Sequence, residues 1–140
     1  MKAGGVAGSW RARALVTVVD DDESVRESLP DLLRQLGFAA EAFSSAEDFL
    51  GSDIVSRTSC LLIDVTMPGM SGPEVQQELS RRRQMIPIVF ITANGDANLR
   101  PDLLARGAVE CLFKPFSEAA LLDALESALR GPKARPEGAT

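Results

Sequence analysis

The chain alternates five times between a short apolar run and a stretch with helical spacing, and this limits the folds open to it. Leu15-Val16-Thr17-Val18-Val19 and Cys60-Leu61-Leu62-Ile63 are continuous apolar runs of the kind buried on both faces of a sheet. Phe38 to Phe43 reads as a weaker strand. Ile86 to Thr92 reads as a strand that Pro87 enters at its first position, and Val109 to Phe113 as the last. Between the first two, Val25, Leu29, Leu32, Leu33 and Leu36 recur at helical spacing, and Gly37 supplies a stop. Pro30 removes a backbone hydrogen bond from this helix and is expected to bend it. Ser44-Ser45-Ala46-Glu47-Asp48 offers a capping box for a short helix through Leu50. Ser71-Gly72-Pro73-Glu74 starts a third helix, with Val75 and Leu79 facing inward. Leu99 to Arg106 reads as a fourth, with Pro101 in its first turn and Gly107 at its end. Ser117 caps a fifth, which carries Leu121, Leu122, Leu125 and Leu129. The order predicts an α/β fold, a five-stranded parallel sheet with helices on both faces.

A chain of 140 residues suits one such domain. Residues 1–13, rich in Gly, Ala and Arg, read as an N-terminal tail, 14–130 as the domain, and 131–140 as a C-terminal tail or linker. A net charge of −5 disfavours direct nucleic-acid binding. No apolar run approaches the ~18–20 residues that span a membrane, and Met1 to Trp10 lacks the apolar core of a secretory signal. Cys60 and Cys111 sit in strand-like runs and read as reduced core thiols of a cytoplasmic protein. The absence of histidine excludes Ser-His-Asp chemistry and imidazole ligation, so a bound metal must be held by oxygen.

Ligands in such folds bind beyond the carboxyl ends of the strands. Four of those ends carry Asp20 with Asp21, Asp64, Thr92 and Lys114. Asp21 and Asp64 would face each other if the first and third strands are adjacent. Carboxylates at ~4–6 Å raise each other's pKa unless a cation intervenes. Mg²⁺ suits them, because it takes few carboxylates and keeps water positions open for phosphate oxygens. Lys114 offers a point charge to a phosphoryl oxygen, and Thr92 a hydroxyl. Taken singly, Asp20 to Asp22 suit a solvated helix start, Lys114 a surface and Thr92 a loop cap. Together they compose a phosphoryl-transfer site, where positioning and charge neutralisation carry the chemistry. Arg81-Arg82-Arg83 reads as the solvated end of a helix.

These residues also carry a resemblance. Val18-Val19-Asp20-Asp21-Asp22-Glu23-Ser24-Val25-Arg26 resembles the acidic opening of response-regulator receiver domains, of the CheY-like superfamily. Leu62 to Gly72, with Asp64-Val65-Thr66-Met67-Pro68-Gly69 inside it, resembles their phosphorylation loop. Phe90-Ile91-Thr92-Ala93 and Phe113-Lys114-Pro115-Phe116 resemble their other two signatures. Ser44 to Leu50 is similar to the FixJ-type branch, whose members often carry a DNA-binding output domain. The resemblance spans about residues 14–130. It implies the flavodoxin-like (βα)5 receiver fold, with Asp64 accepting a phosphoryl group from a phosphohistidine on a sensor histidine kinase. It implies Mg²⁺ held by Asp20, Asp21, Asp64 and the carbonyl of Thr66, Lys114 pairing with the phosphoryl group, and a cis bond before Pro115. Thr92 would move toward that group as a switch, while Asp22 is read as a helix cap.

One position departs from the pattern. Three residues before the lysine the family usually carries Tyr or Phe, and here the switch position is Cys111. Pro101 alters the fourth helix on the same face. Both changes bear on signalling rather than on chemistry at Asp64. The implied function is a phospho-accepting signalling domain, not a turnover enzyme. It would signal through a downstream protein target, a DNA-binding output domain outside this chain, or a phosphorylation-dependent homodimer. The alternative is a pseudo-receiver, the same fold kept as a phosphorylation-independent binding module. A flavin carrier is disfavoured, since three aspartates would repel a phosphate at the first strand end.

Overall fold

The computed structural model describes residues 14–93 and 95–134, the last four by backbone alone. Expectations for the two tails, Trp10 included, fall mostly outside these residues. The strands are β1 (Leu15–Val19), β2 (Ala39–Phe43), β3 (Cys60–Asp64), β4 (Ile88–Thr92) and β5 (Glu110–Phe113). The helices are α1 (Glu23–Gln35), α2 (Ala46–Leu50), α3 (Gly72–Arg81), α4 (Leu99–Ala105) and α5 (Glu118–Ala134), with a 3₁₀ turn at Val55–Arg57. All strand pairs are parallel, in the order β2-β1-β3-β4-β5. The α/β fold with its five-stranded parallel sheet is thus observed. β1 lies between β2 and β3, so the order reverses there, the point at which sheets of this kind bind their ligands.

Alternation along the strands divides the core. Val16, Val18, Cys60, Leu62, Val89 and Ile91 pack with Leu29 and Leu33 of α1 and Leu121 and Leu125 of α5. Their strand neighbours Val19, Leu61, Ile63, Ile88 and Phe90 pack with Phe49 of α2, Val75 and Leu79 of α3 and Leu103 of α4. Period-two strands buried on both faces produce the continuous apolar runs of the sequence. Both cysteines are buried and unbridged.

Several boundaries shift by a residue or two. β4 begins at Ile88, and Pro87 stands before it with its carbonyl accepting the Leu61 N–H at 2.9 Å. Pro30 lies inside α1, which continues to Gln35. Ser45, not Ser44, caps α2 by accepting the Asp48 N–H, while Ser71 and Glu74 form a full capping box on α3. Arg81 and Arg82 are not merely solvated: both pair with Glu78, and Arg82 also donates to the Leu50 carbonyl at 3.0 Å. Helix α5 runs to Ala134, past the expected boundary at Arg130. Among the described residues no helix is long and apolar enough to cross a membrane.

Candidate functional site

Strand register brings the acidic residues together. Val19 of β1 pairs with Ile63 of β3, so the next residues, Asp20 and Asp64, leave adjacent strands side by side. Carboxylate oxygens of Asp20, Asp21 and Asp64 lie within 4.8 Å of one another. Asp20 is completely buried, Asp64 nearly so, and Asp21 exposed. Asp20 Oδ1 accepts the Asp22 N–H at 2.9 Å, which pins the turn out of β1. Asp22 caps α1. It accepts from the Ser24 hydroxyl at 2.7 Å and the Ser24 N–H at 2.9 Å, and these bonds hold its carboxyl below the usual range. The reading of Asp22 as a cap is borne out.

Lys114 closes the cluster from β5. Its Nζ donates to Asp20 Oδ2 at 2.9 Å and to Asp64 Oδ2 at 3.2 Å. The Lys114–Pro115 bond is cis, as expected. Burial works against the lysine charge, but hydrogen bonding and attraction from Asp20, then Asp64, outweigh it and raise its pKa. Asp64 shifts upward too. Burial is the main cause and Asp20 repels it, while the Thr66 N–H and Lys114 pull the other way without prevailing. One ammonium shared between two carboxylates leaves Asp64 an under-compensated anion.

The remaining residues complete the rim. The Thr66 N–H donates to Asp64 Oδ1 at 3.0 Å, folding the loop after β3 back over the carboxylate. That fold needs Gly72, because a Cβ there would stand 2.6 Å from the Asp64 carbonyl oxygen and 2.8 Å from the Phe90 ring. Thr92 ends β4, buried, and its carbonyl accepts the Lys114 N–H at 2.8 Å. Cys111 is buried beside Phe90, its register partner on β4, in the half of the core that also holds Leu103 of α4. Arg26, not singled out from the sequence for any role, donates to the Asp20 carbonyl at 3.0 Å. Its place six residues after Asp20, in the second turn of α1, is the signal that points to it.

The donor set suits a hard divalent cation. It is all oxygen, it carries three carboxylates against one ammonium, and the exposed Asp21 leaves one side open to water. Mg²⁺ fits these residues. The same cluster sets a buried, under-compensated carboxylate beside a lysine, which is the equipment of a nucleophile toward phosphorus.

Known proteins resemble this chain along most of its length. The family model described as "response regulator receiver domain" matches residues 16–126. Nodulation protein W of Bradyrhizobium diazoefficiens is 44% identical over 125 residues, covering 89% of this chain and 55% of that protein. Response regulator protein TodT of Pseudomonas putida is 41% identical over 117 residues, covering 84% of this chain and 52% of that protein. The chain therefore spans about half the length of these relatives. The crystal structure of FixJ-N superposes with a TM-score of 0.75 at 35% identity, over 84% of this chain and 94% of that one. The structure of response regulator StyR superposes with a TM-score of 0.77 at 50% identity, over 85% of this chain and 60% of that one.

Proposed function

This chain belongs to the response regulator receiver domain family of two-component systems, and from that premise we propose that Asp64 is its phosphoryl acceptor. The observation that carries the proposal is Asp64 itself, nearly buried, adjacent to Asp20 and Asp21 and held 3.2 Å from Lys114. A carboxylate oxygen of Asp64 forms a bond to phosphorus as the P–N bond of a kinase phosphohistidine breaks. The electron pair of that bond passes to the departing imidazole nitrogen. The product is an aspartyl phosphate, which water later cleaves.

Each neighbour has a part in this transfer. Lys114, already between Asp20 and Asp64, follows the charge onto a phosphoryl oxygen. Asp20, Asp21, Asp64 and the Thr66 carbonyl would hold Mg²⁺, which when bound neutralises charge building up on the phosphoryl oxygens. Thr92 offers its hydroxyl to the phosphoryl group and reports the modification by moving toward it. The donor is a sensor histidine kinase and the setting cytoplasmic. The domain, residues 14–130, acts by protein contact: on a downstream target, on an output domain of a longer protein, or by pairing with a second phosphorylated copy. It is a signalling domain rather than a turnover enzyme. Acetyl phosphate with Mg²⁺ should add one phosphoryl group, and chelation of the metal should prevent it. A protein left unmodified by acetyl phosphate and by its kinase would overturn the proposal.

A second reading rests on Cys111. A small buried thiol cannot fill and vacate the volume of an aromatic ring. The chain would then keep the site but signal as a pseudo-receiver, independent of modification. A partner whose affinity is unchanged by a beryllofluoride adduct at Asp64 would favour this reading.

A further inference from the structure

The acceptor loop, Val65 to Ser71, is bonded at its base. The Val65 N–H donates to the Ile91 carbonyl at 3.0 Å, Thr66 to Asp64, Gly72 to Val65 at 3.0 Å, and Ser71 to Glu74 at 2.8 Å. Met67 is buried in the core. The tip at Gly69-Met70 is held differently. The Met70 N–H donates at 3.1 Å to Glu47 Oε2, from helix α2, 23 residues earlier in the chain.

Glu47 lies in the first turn of α2 and is exposed, a setting in which a glutamate ordinarily faces water. Its helix gives it a firm base. Ser45 caps α2, and Phe49 is fully buried with its ring edge-on to Phe43 at a centroid distance of 5.6 Å. The loop is shaped to the same oxygen at a second point. Gly69 has φ +78°, and a Cβ on it would stand 2.9 Å from Glu47 Oε2. Two adjacent loop residues are thus fitted to one carboxylate oxygen.

We infer that Glu47 is a positioning residue for the acceptor loop: its bond to Met70 holds the tip, and with it the Thr66 carbonyl, where metal and phosphoryl group must bind. The inference rests on Asp64 being the acceptor. That bond orders the tip of the loop, beyond the buried Met67 and the bonds at its base. Groups that hydrogen-bond a metal's ligands directly typically matter about 10–100-fold in metal affinity, and Glu47, which acts through the loop, should matter less.

The test compares wild type with Glu47→Ala, Glu47→Gln and Gly69→Ala. Three properties are read: Mg²⁺ affinity by calorimetry, the rate of phosphorylation by acetyl phosphate, and thermal unfolding in chelator. Glu47→Ala is expected to weaken Mg²⁺ binding and slow phosphorylation by about threefold to tenfold, with the unfolding temperature little changed. Glu47→Gln keeps an oxygen acceptor for Met70 and is expected to recover most of both. Gly69→Ala should weaken binding and slow the rate as Glu47→Ala does, and should also unfold earlier because its φ of +78° strains an alanine. If Glu47→Ala matches wild type in affinity and rate, or only unfolds earlier, the inference is overturned. If Glu47→Gln is as impaired as Glu47→Ala, the effect is one of charge at a distance, and the inference is again overturned. A wild type that takes up no phosphoryl group at all would instead overturn the assignment of Asp64.

Discussion

Lys114 Nζ donates to Asp20 Oδ2 at 2.9 Å although 94 residues of chain separate the two. Asp20 is fully buried, and this ammonium is the cation placed against it. Removing the cation leaves a buried carboxylate with its charge uncompensated. Lys114→Met in chelator is therefore expected to lower stability by about 2 kcal/mol, short of the usual cost of breaking a buried pair because the lysine is partly solvated. Urea unfolding measures this, and an unchanged midpoint would contradict it.

A cluster of three carboxylates, two of them sharing one ammonium, should respond to a divalent cation. With Mg²⁺ at about a hundred times its dissociation constant, the folded state gains about 2.7 kcal/mol. The unfolding temperature should rise accordingly, and Asp20→Asn or Asp21→Asn should reduce the rise. In chelator, Asp64→Asn should unfold at or above the wild-type temperature, because it removes an anion whose pKa burial and Asp20 both raise. Thermal scans with and without the metal check all three.

Cys111 is buried beside Phe90, in the half of the core that also holds Leu103. Cys111→Tyr is expected to destabilise the fold by about 1–3 kcal/mol through overpacking. The acetyl phosphate rate should stay close to wild type, because Cys111 is not among the groups around Asp64. A stable variant would mean that the core has room for the aromatic ring usual at this position.

Glu78 gives a pH signature away from the site. Hydrogen bonds from Arg81 and then Arg82 hold its carboxyl down to about 2, from an ordinary value near 4.5. A depressed carboxyl contributes stability that is present above its unfolded pKa and is lost as pH falls through the folded one. Wild type should therefore lose its advantage over Glu78→Gln as pH drops from about 4.5 toward 2. Parallel denaturation series at several pH values test this, and a constant difference would contradict it.

Much of the site could be read from strand ends. Strands buried on both faces are continuous apolar runs, so their last residues are easy to find, and Asp64, Thr92 and Lys114 stood out for that reason. The adjacency of β1 and β3 was only a condition in the sequence, and the register of Val19 with Ile63 supplied it. Glu47 reads locally as part of a capping box, but Ser45 caps the helix through the Asp48 N–H and Glu47 bonds elsewhere. Its partner is 23 residues away, and no periodicity reports such a contact. Pro87 reads as the entry to a strand, yet the strand begins only at Ile88 and Pro87 lends it a carbonyl alone. The arginines at the end of α3 are exposed as expected, and the reading omits only the pairing of Arg81 and Arg82 with Glu78, one turn earlier on the same helix.

The central claim is that Asp64 takes a phosphoryl group. Borohydride reduces an aspartyl phosphate to homoserine, a mark that survives proteolysis and can be mapped by mass spectrometry. Treated with acetyl phosphate and Mg²⁺ and then reduced, the wild-type protein should carry homoserine at position 64 alone. Asp64→Asn should carry none. An unmarked wild type, or a mark at Asp20 or Asp21 in its place, would contradict the account.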